Sequence, residues 1–225
     1  MSLRYALLAI LRIGPLSGYE LQKQFGQSVG HVWHAPDSQI YPELRKMEQA
    51  GLIEGEEQLR GERGTRRIYH VTPEGDADFA AWMTTPLDYQ QVRDPAHLRA
   101  AYLESASPAD ACAFFRAHIA QWEKTHIAWE AELARVTEIS SPMLQRRLAV
   151  IPAEVHAAAV AYKRHTYEGL LERARGEILW AQSGLRLVDV LNGGNPSAVD
   201  PSTVAPSTDQ PSANHPAVDV SGRTP

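Results

Sequence analysis

The spacing of apolar residues along the chain changes at Gly51. Before Gly51, apolar residues recur every three or four positions, which is the period of an amphipathic helix. After it, residues 52–58 and 65–71 have the length and alternation of strands. The segment Arg60-Gly61-Glu62-Arg63-Gly64 between them has the glycines of a hairpin tip. The chain must therefore pack helices against a two-stranded hairpin.

Capping residues and breakers divide the rest of this segment into three helices before the hairpin and one after it. The first helix ends before Gly14-Pro15, and the second begins at the capping box formed by Ser17 and Glu20 and ends at about Phe25. The third is capped by Asp37 or Ser38 and ends at Gly51, and the fourth begins at Thr72-Pro73. This order of elements predicts a winged helix-turn-helix.

The region after residue 90 has the pattern of two long helices. Ser107-Pro108-Ala109-Asp110 combines an N-cap, a proline at the first helical position and an acid in the first turn, and predicts a helix to about Val136. A second is expected from near Pro152 to about Ser183. Their apolar residues are too numerous for two helices to bury alone, so a partner surface is expected.

Composition divides the chain into residues 1–90, 91–191 and 192–225. The last region carries prolines at every fifth position and no aromatic residue, so we expect a disordered tail. The predicted fold class is mainly α with a small β-hairpin wing: an N-terminal winged helix-turn-helix domain and a C-terminal long-helix dimerisation region.

Four motifs, in order and correctly spaced, resemble the PadR family of transcriptional regulators. They are Ser17-Gly18-Tyr19-Glu20-Leu21, Trp33, the third helix from Ser38-Gln39-Ile40-Tyr41-Pro42-Glu43-Leu44 to Glu48-Gln49-Ala50-Gly51-Leu52-Ile53, and the wing from Gly64 to Gly75. Thr65 stands where many members have proline. The resemblance covers roughly the first 85 residues, and it implies a DNA-binding dimer, usually a repressor, joined by C-terminal helices.

The candidate DNA contacts lie on the third helix and on the wing. They are Ser38, Gln39, Tyr41, Pro42 and Arg45 on the helix, and Arg63, Arg66 and Arg67 on the wing. Gln39 can pair with adenine and Arg45 can reach guanine or a phosphate, whereas the wing arginines suit phosphates. Two alternatives stay open, because Tyr41 could be a packing residue and Arg67 could fold its stem over the core.

The resemblance also implies a small aromatic effector for some members, and Phe115, Trp122 and Trp129 could line a flat pocket. We favour the alternative that the same three residues are core or dimer-interface anchors, because large aromatic residues dominate such surfaces without any ligand.

Other classes of protein are disfavoured. A net charge of -5 argues against indiscriminate coating of nucleic acid. The single Cys112 fits a reducing compartment, and the apolar stretch Tyr5 to Leu11 is too short for a signal peptide or membrane span, so we expect a cytoplasmic protein. Motifs for catalysis are absent, and neither His31/His34 nor His118/His126 has a convincing third ligand, so no enzyme, cofactor or metal is expected. The alternative function is a winged-helix module that binds protein instead of DNA.

Overall fold

The computed structural model describes residues 2–26, 32, 35–59, 65–87, 89 and 93–193, with the backbone alone at residues 2 and 37. The predicted tail, apart from its first two residues, lies outside these ranges. So do the wing tip at 60–64 and the motif residue Trp33.

The described residues form helices with one small sheet, as the sequence predicts. The elements are α1 (Ser2–Leu11), β1 (Leu16–Ser17), α2 (Gly18–Gln24), α3 (Asp37–Gln49), β2 (Ile53–Leu59), β3 (Thr65–Val71), α4 (Pro73–Thr84), α5 (Pro95–Ala100), α6 (Pro108–Thr137), α7 (Pro142–Val150) and α8 (His156–Leu191). Short 3-10 turns precede α6 and α8.

The N-terminal core forms where α1, α2 and α3 meet. Leu7, Leu21 and Leu44, one from each helix, are fully buried. Ser17 caps α2 with the predicted capping box, in which its hydroxyl accepts from the Glu20 amide and the Glu20 carboxylate accepts from the Ser17 amide. Two orphan amides are satisfied at this helix end, so even a seven-residue helix has a fixed start.

The sheet has three antiparallel strands in the order β1-β3-β2. The hairpin β2-β3 is the one expected, and β3 has the predicted limits. The two-residue strand β1 is an addition, in which Leu16 pairs with Tyr69 and Ser17 with Ile68. The residue that caps α2 is therefore also held against the wing.

Two predicted helix boundaries are wrong. Helix α3 begins at Asp37 with Pro36 as its N-cap, and no side chain caps it, so neither Asp37 nor Ser38 has the predicted capping role. The second long helix starts at His156, not near Pro152, and continues past Ser183 to Leu191. The reason is packing: Ala181, Gly184 and Val188 are buried against α6 and extend the helical contact by two turns.

Helices α6 and α8 pack antiparallel. Phe115, near the start of α6, belongs to one cluster with Ala181 and Val188 of α8, whereas Trp129, further along, packs with Leu171. Within the described residues, none of the helices is long and apolar enough to cross a membrane.

Helix α7 joins the two parts of the chain. Met143 packs into the N-terminal core, and its neighbour Leu144 is fully buried in the α6–α8 core. The N-terminal helices and the long C-terminal helices thus share a packed boundary.

Candidate nucleic-acid interface

One face of α3 is buried and the other is open. The buried face consists of Ile40, Leu44 and Met47, each with no exposed surface. The predicted contact residues on this helix are all exposed; they are Ser38, Gln39, Tyr41, Pro42 and Arg45. An exposed polar face at the start of a helix is the geometry that presents side chains to base edges in a major groove.

Tyr41 is packed on one side and exposed on the other, so it is compatible with both sequence interpretations, a packing residue and a DNA contact. It is 43% exposed, yet its ring lies so close to Gly18 that a Cβ on that glycine would come 2.7 Å from the ring atom Cε1. A side chain at position 18 would displace the Tyr41 ring. Glycine at this position therefore allows the start of α2 to lie close to α3.

Glu48 fixes the base of the wing to the end of α3. Its Oε1 accepts a hydrogen bond from Arg67 Nη2 at 2.6 Å and another from the Gly55 amide at 3.0 Å. This bond and the negative charge of Glu48 raise the pKa of Arg67 above its ordinary value. In the described structure Arg67 therefore forms an ion pair within the protein. The role of Glu48 could not be predicted from the sequence because the two residues are far apart along the chain.

Arg66, the neighbour of Arg67 on β3, is held less firmly. Its Nη1 lies 3.8 Å from Glu20 Oε1 and its Nη2 donates to Gln58 Oε1 at 3.4 Å, both long contacts on an exposed side chain. Such pairs contribute little and are readily exchanged for a phosphate. Arg63, the third predicted wing contact, lies outside the described residues.

A shallow cleft of about 340 Å³ connects these elements. Its lining comes from the start of α2, from α3 and from β3, and comprises Ser17, Gly18, Tyr19, Glu20, Tyr41, Arg66, Arg67 and Tyr69. Tyr19 is 70% exposed and was not among the predicted contacts. Its position next to Gly18 was visible in the sequence, but only the pairing of β1 with β3 places it beside the wing.

The three aromatic residues predicted to line an effector pocket fall into two clusters. Phe115 is buried with Ala181 and Val188, whereas Trp129 is buried in the other core, with Trp122 at its edge at 6.2 Å between ring centroids. The structure thus brings Trp122 and Trp129 together and leaves Phe115 apart.

A larger cavity, of about 780 Å³, lies between the N-terminal helices and α7–α8. Its walls include apolar side chains such as Phe79 and Met83, together with the cationic groups of Arg12, Arg147 and Lys163. Burial and the nearby Arg147 charge lower the pKa of Lys163, while Glu132 acts in the opposite direction.

The N-terminal part has three helices, a hairpin wing beside the third helix and a fourth helix after the wing, and the third helix has an exposed polar face. This arrangement defines a winged helix-turn-helix DNA-binding protein of the transcription regulator class. Residues 7–81 match the model of the transcriptional regulator PadR-like family. Over these residues, which are a third of the chain, the protein is similar to PadR-like transcriptional regulators.

The similarity to one relative extends well beyond the N-terminal part. The negative transcriptional regulator PadR of Bacillus subtilis is 27% identical over 195 residues, which are 83% of this chain and 97% of that protein. The crystal structure of Bacillus subtilis PadR in complex with operator DNA has a TM-score of 0.64 at 26% identity, covering 84% of this chain and 100% of that one. Its complex with p-coumaric acid has a TM-score of 0.58 at 26% identity, covering 83% and 95%. These matched proteins are regulators, not enzymes.

Proposed function

We propose that this protein is a homodimeric repressor that binds a pseudo-palindromic operator and is released by a small aromatic acid. Residues 1–90 form the DNA-binding domain, residues 91–191 form the dimerisation and effector-binding domain, and 192–225 form a tail outside both. Because its target is chromosomal DNA, the protein acts in the cytoplasm.

The observation that carries the proposal is the exposed face of α3 with Arg66 of the wing beside the same cleft. Gln39 and Arg45 read base edges, and Ser38, Tyr41 and Pro42 contact backbone and sugar. Arg63 and Arg66 contact phosphates. Arg67, bound to Glu48, reaches a phosphate only by giving up that ion pair, so we assign it chiefly to positioning the wing.

The dimer interface is assigned to exposed apolar residues of the long helices. Ile127 of α6 is 66% exposed and Leu179 of α8 is 57% exposed, and both line one shallow groove with Ile178. Apolar side chains exposed at this level on neighbouring helices favour burial against a second chain. A two-fold dimer also supplies the two recognition helices that successive half-sites need.

The effector site is assigned to the cavity of about 780 Å³ and not to the aromatic trio, because Phe115 and Trp129 are already buried in two cores. The cavity offers apolar walls for an aromatic ring and the cations Lys163 and Arg147 for a carboxylate. That the similar Bacillus subtilis PadR was crystallised with p-coumaric acid supports this ligand class. Since α7 contributes to both cores, a ligand there bears on the boundary between the two domains.

The test is fluorescence anisotropy of the full chain on a labelled fragment from upstream of its own gene, with excess competitor DNA at two salt concentrations. Arg45→Ala should weaken binding by about 1–3 kcal/mol, or roughly 5- to 150-fold. Arg164→Ala is the matched control, because this exposed arginine pairs only with Glu168 one turn away on α8 in the described structure.

Equal affinities for Arg45→Ala and Arg164→Ala would refute the contact assignment. Binding that resists salt, or that competitor DNA abolishes, would refute operator recognition, because phosphate contacts release counterions and must weaken as salt rises. That outcome would favour the alternative function, a module that binds protein.

A further inference from the structure

Three potential metal ligands meet where α5 packs on α8. They are Asp94 and His97, at the start and within the first turns of α5, and Glu177 in the middle of α8. One ligand atom from each side chain lies within 4.8 Å of the other two. Two carboxylates and an imidazole this close form a donor set that divalent transition metals accept.

The side chains are already oriented. Asp94 uses Oδ1 to accept from the amides of Ala96 and His97, and its Oδ2 lies 2.9 Å from His97 Nδ1. The His97 ring stacks on Trp180 with centroids 4.0 Å apart, which restricts its rotation.

Glu177 is hydrogen-bonded to His118, which is the kind of contact that orients metal ligands. His118 of α6 has its Nε2 3.2 Å from Glu177 Oε2, and these two side chains are only 13% and 16% exposed. A hydrogen bond between an imidazole and a ligating carboxylate fixes the orientation of the carboxylate and is a common outer-shell arrangement. It leaves the other oxygen of Glu177 for an ion.

We propose that Asp94, His97 and Glu177 bind a divalent transition metal ion of the Zn²⁺ type, with His118 orienting Glu177. Ligands about 2.0–2.2 Å from Zn²⁺ in a tetrahedral arrangement lie roughly 3.3–3.6 Å from one another, so small side-chain rotations close the site. The charge of the ion balances the two carboxylates. An imidazole ligand favours Zn²⁺ over Mg²⁺, which prefers oxygen ligands and water.

The consequence is mechanical. Helix α5 lies between α4, which ends the N-terminal domain, and α6, which begins the long helices. An ion held by α5 and α8 would cross-link this connection to the helical domain. The sequence analysis did not single out His97, because Glu177 is far from it along the chain and only the packing of α5 on α8 brings them together.

The test uses the full, tag-free chain, treated with EDTA and then titrated with Zn²⁺ against a chromophoric chelator. We expect one high-affinity ion per chain. His97→Ala and Glu177→Gln should each lower the affinity at least tenfold, and His118→Ala by about 10- to 100-fold. His165→Ala is the matched control, because this side chain is 86% exposed and lies on another part of α8, and it should bind as the wild type does.

A second readout is thermal unfolding, in which Zn²⁺ at about 100 times its Kd should raise Tm by roughly 5 °C in the wild type and not in Glu177→Gln. Far-UV circular dichroism in EDTA confirms that each variant is folded. Equal Zn²⁺ affinity of the wild type and Glu177→Gln would show that Glu177 only pairs with His118, and it would overturn the proposal. Loss of the ion in a His31→Ala/His34→Ala variant would also overturn it, because the ion would then be bound elsewhere. DNA is absent from both measurements, so their failure leaves the proposed function unaffected.

Discussion

Gly184 offers a direct test of how tightly the two long helices pack. It is buried in α8, and a Cβ on it would come 2.7 Å from Cδ1 of Phe115 and closer still to Cε1 and Cζ. Carbon atoms in contact prefer about 3.5–4.0 Å, so the ring would have to move by roughly 1 Å. Phe115 has little room to do so, because it is 5% exposed and lies between Phe114 and Trp180 at centroid distances of 5.1 and 5.6 Å.

The magnitude follows from two opposing effects of Gly184→Ala. Alanine is the better helix former by about 1 kcal/mol, whereas overpacking a core costs about 1–3 kcal/mol. Gly169→Ala, in the same helix, separates the two, because Gly169 is exposed and a Cβ there meets no described atom within 4 Å. The helix-forming gain is common to both variants, so the free energy of unfolding of Gly184→Ala should be lower than that of Gly169→Ala by about 1–3 kcal/mol.

The assay is urea denaturation followed by far-UV circular dichroism, with all variants at one protein concentration because the proposed dimerisation would make the apparent stability depend on concentration. Gly176→Ala, whose Cβ also meets no described atom within 4 Å, should behave like Gly169→Ala. If Gly184→Ala proved as stable as these two controls, the close packing of α8 against Phe115 would be refuted.

Three further predictions concern the cleft and the cavity. Gly18→Ala should push the Tyr41 ring outward and weaken operator binding by about 1 kcal/mol, roughly fivefold in Kd by anisotropy, and an unchanged Kd would contradict the role of Tyr41. Glu20→Gln should destabilise the protein at pH 7 by at most about 1 kcal/mol, because the side chain is 43% exposed. Hydrogen bonds from Ser17 lower the pKa of Glu20 below its ordinary 4.5. The stability that ionised Glu20 contributes is therefore present above pH 4.5 and is lost as the pH falls through the pKa of Glu20 in the folded state. If urea titrations showed the same destabilisation at pH 3 as at pH 7, this reasoning would be contradicted. Burial lowers the pKa of Lys163, and an aromatic carboxylate bound beside it should raise that pKa, so the protein should take up protons on binding in the pH range where Lys163 titrates. Calorimetry in two buffers across that range should give different enthalpies for the wild type and equal ones for Lys163→Met. Equal enthalpies for both would argue against the cavity as the effector site.

Local sequence signals predicted the elements that local chemistry determines. The capping box at Ser17, the N-cap Ser107 and the strand from Thr65 to Val71 all lie where the pattern placed them. Each depends on residues within a few positions of one another, which is the range over which caps and alternation act.

What the sequence did not reveal depends on contacts between distant residues. Strand β1 has only two residues and no period of its own, and it forms because β3 offers an edge. Helix α7 was missed because Met143 and Leu144 are buried in two different cores, so no single apolar stripe marks it. Of the candidate site, the exposed helix residues could be predicted, whereas the link between Glu48 and Arg67 could not.

The small third strand has a consequence for how this protein can choose an operator. Because β1 hydrogen-bonds to β3 and its Ser17 is also the first capping residue of α2, the base of the wing and the helices beside it cannot change their separation independently. In the proposed operator complex, each winged helix-turn-helix would therefore span a fixed distance within one half-site. In the proposed dimer, discrimination between half-site spacings would depend on the distance between the two winged helix-turn-helix units, which the long helices would set.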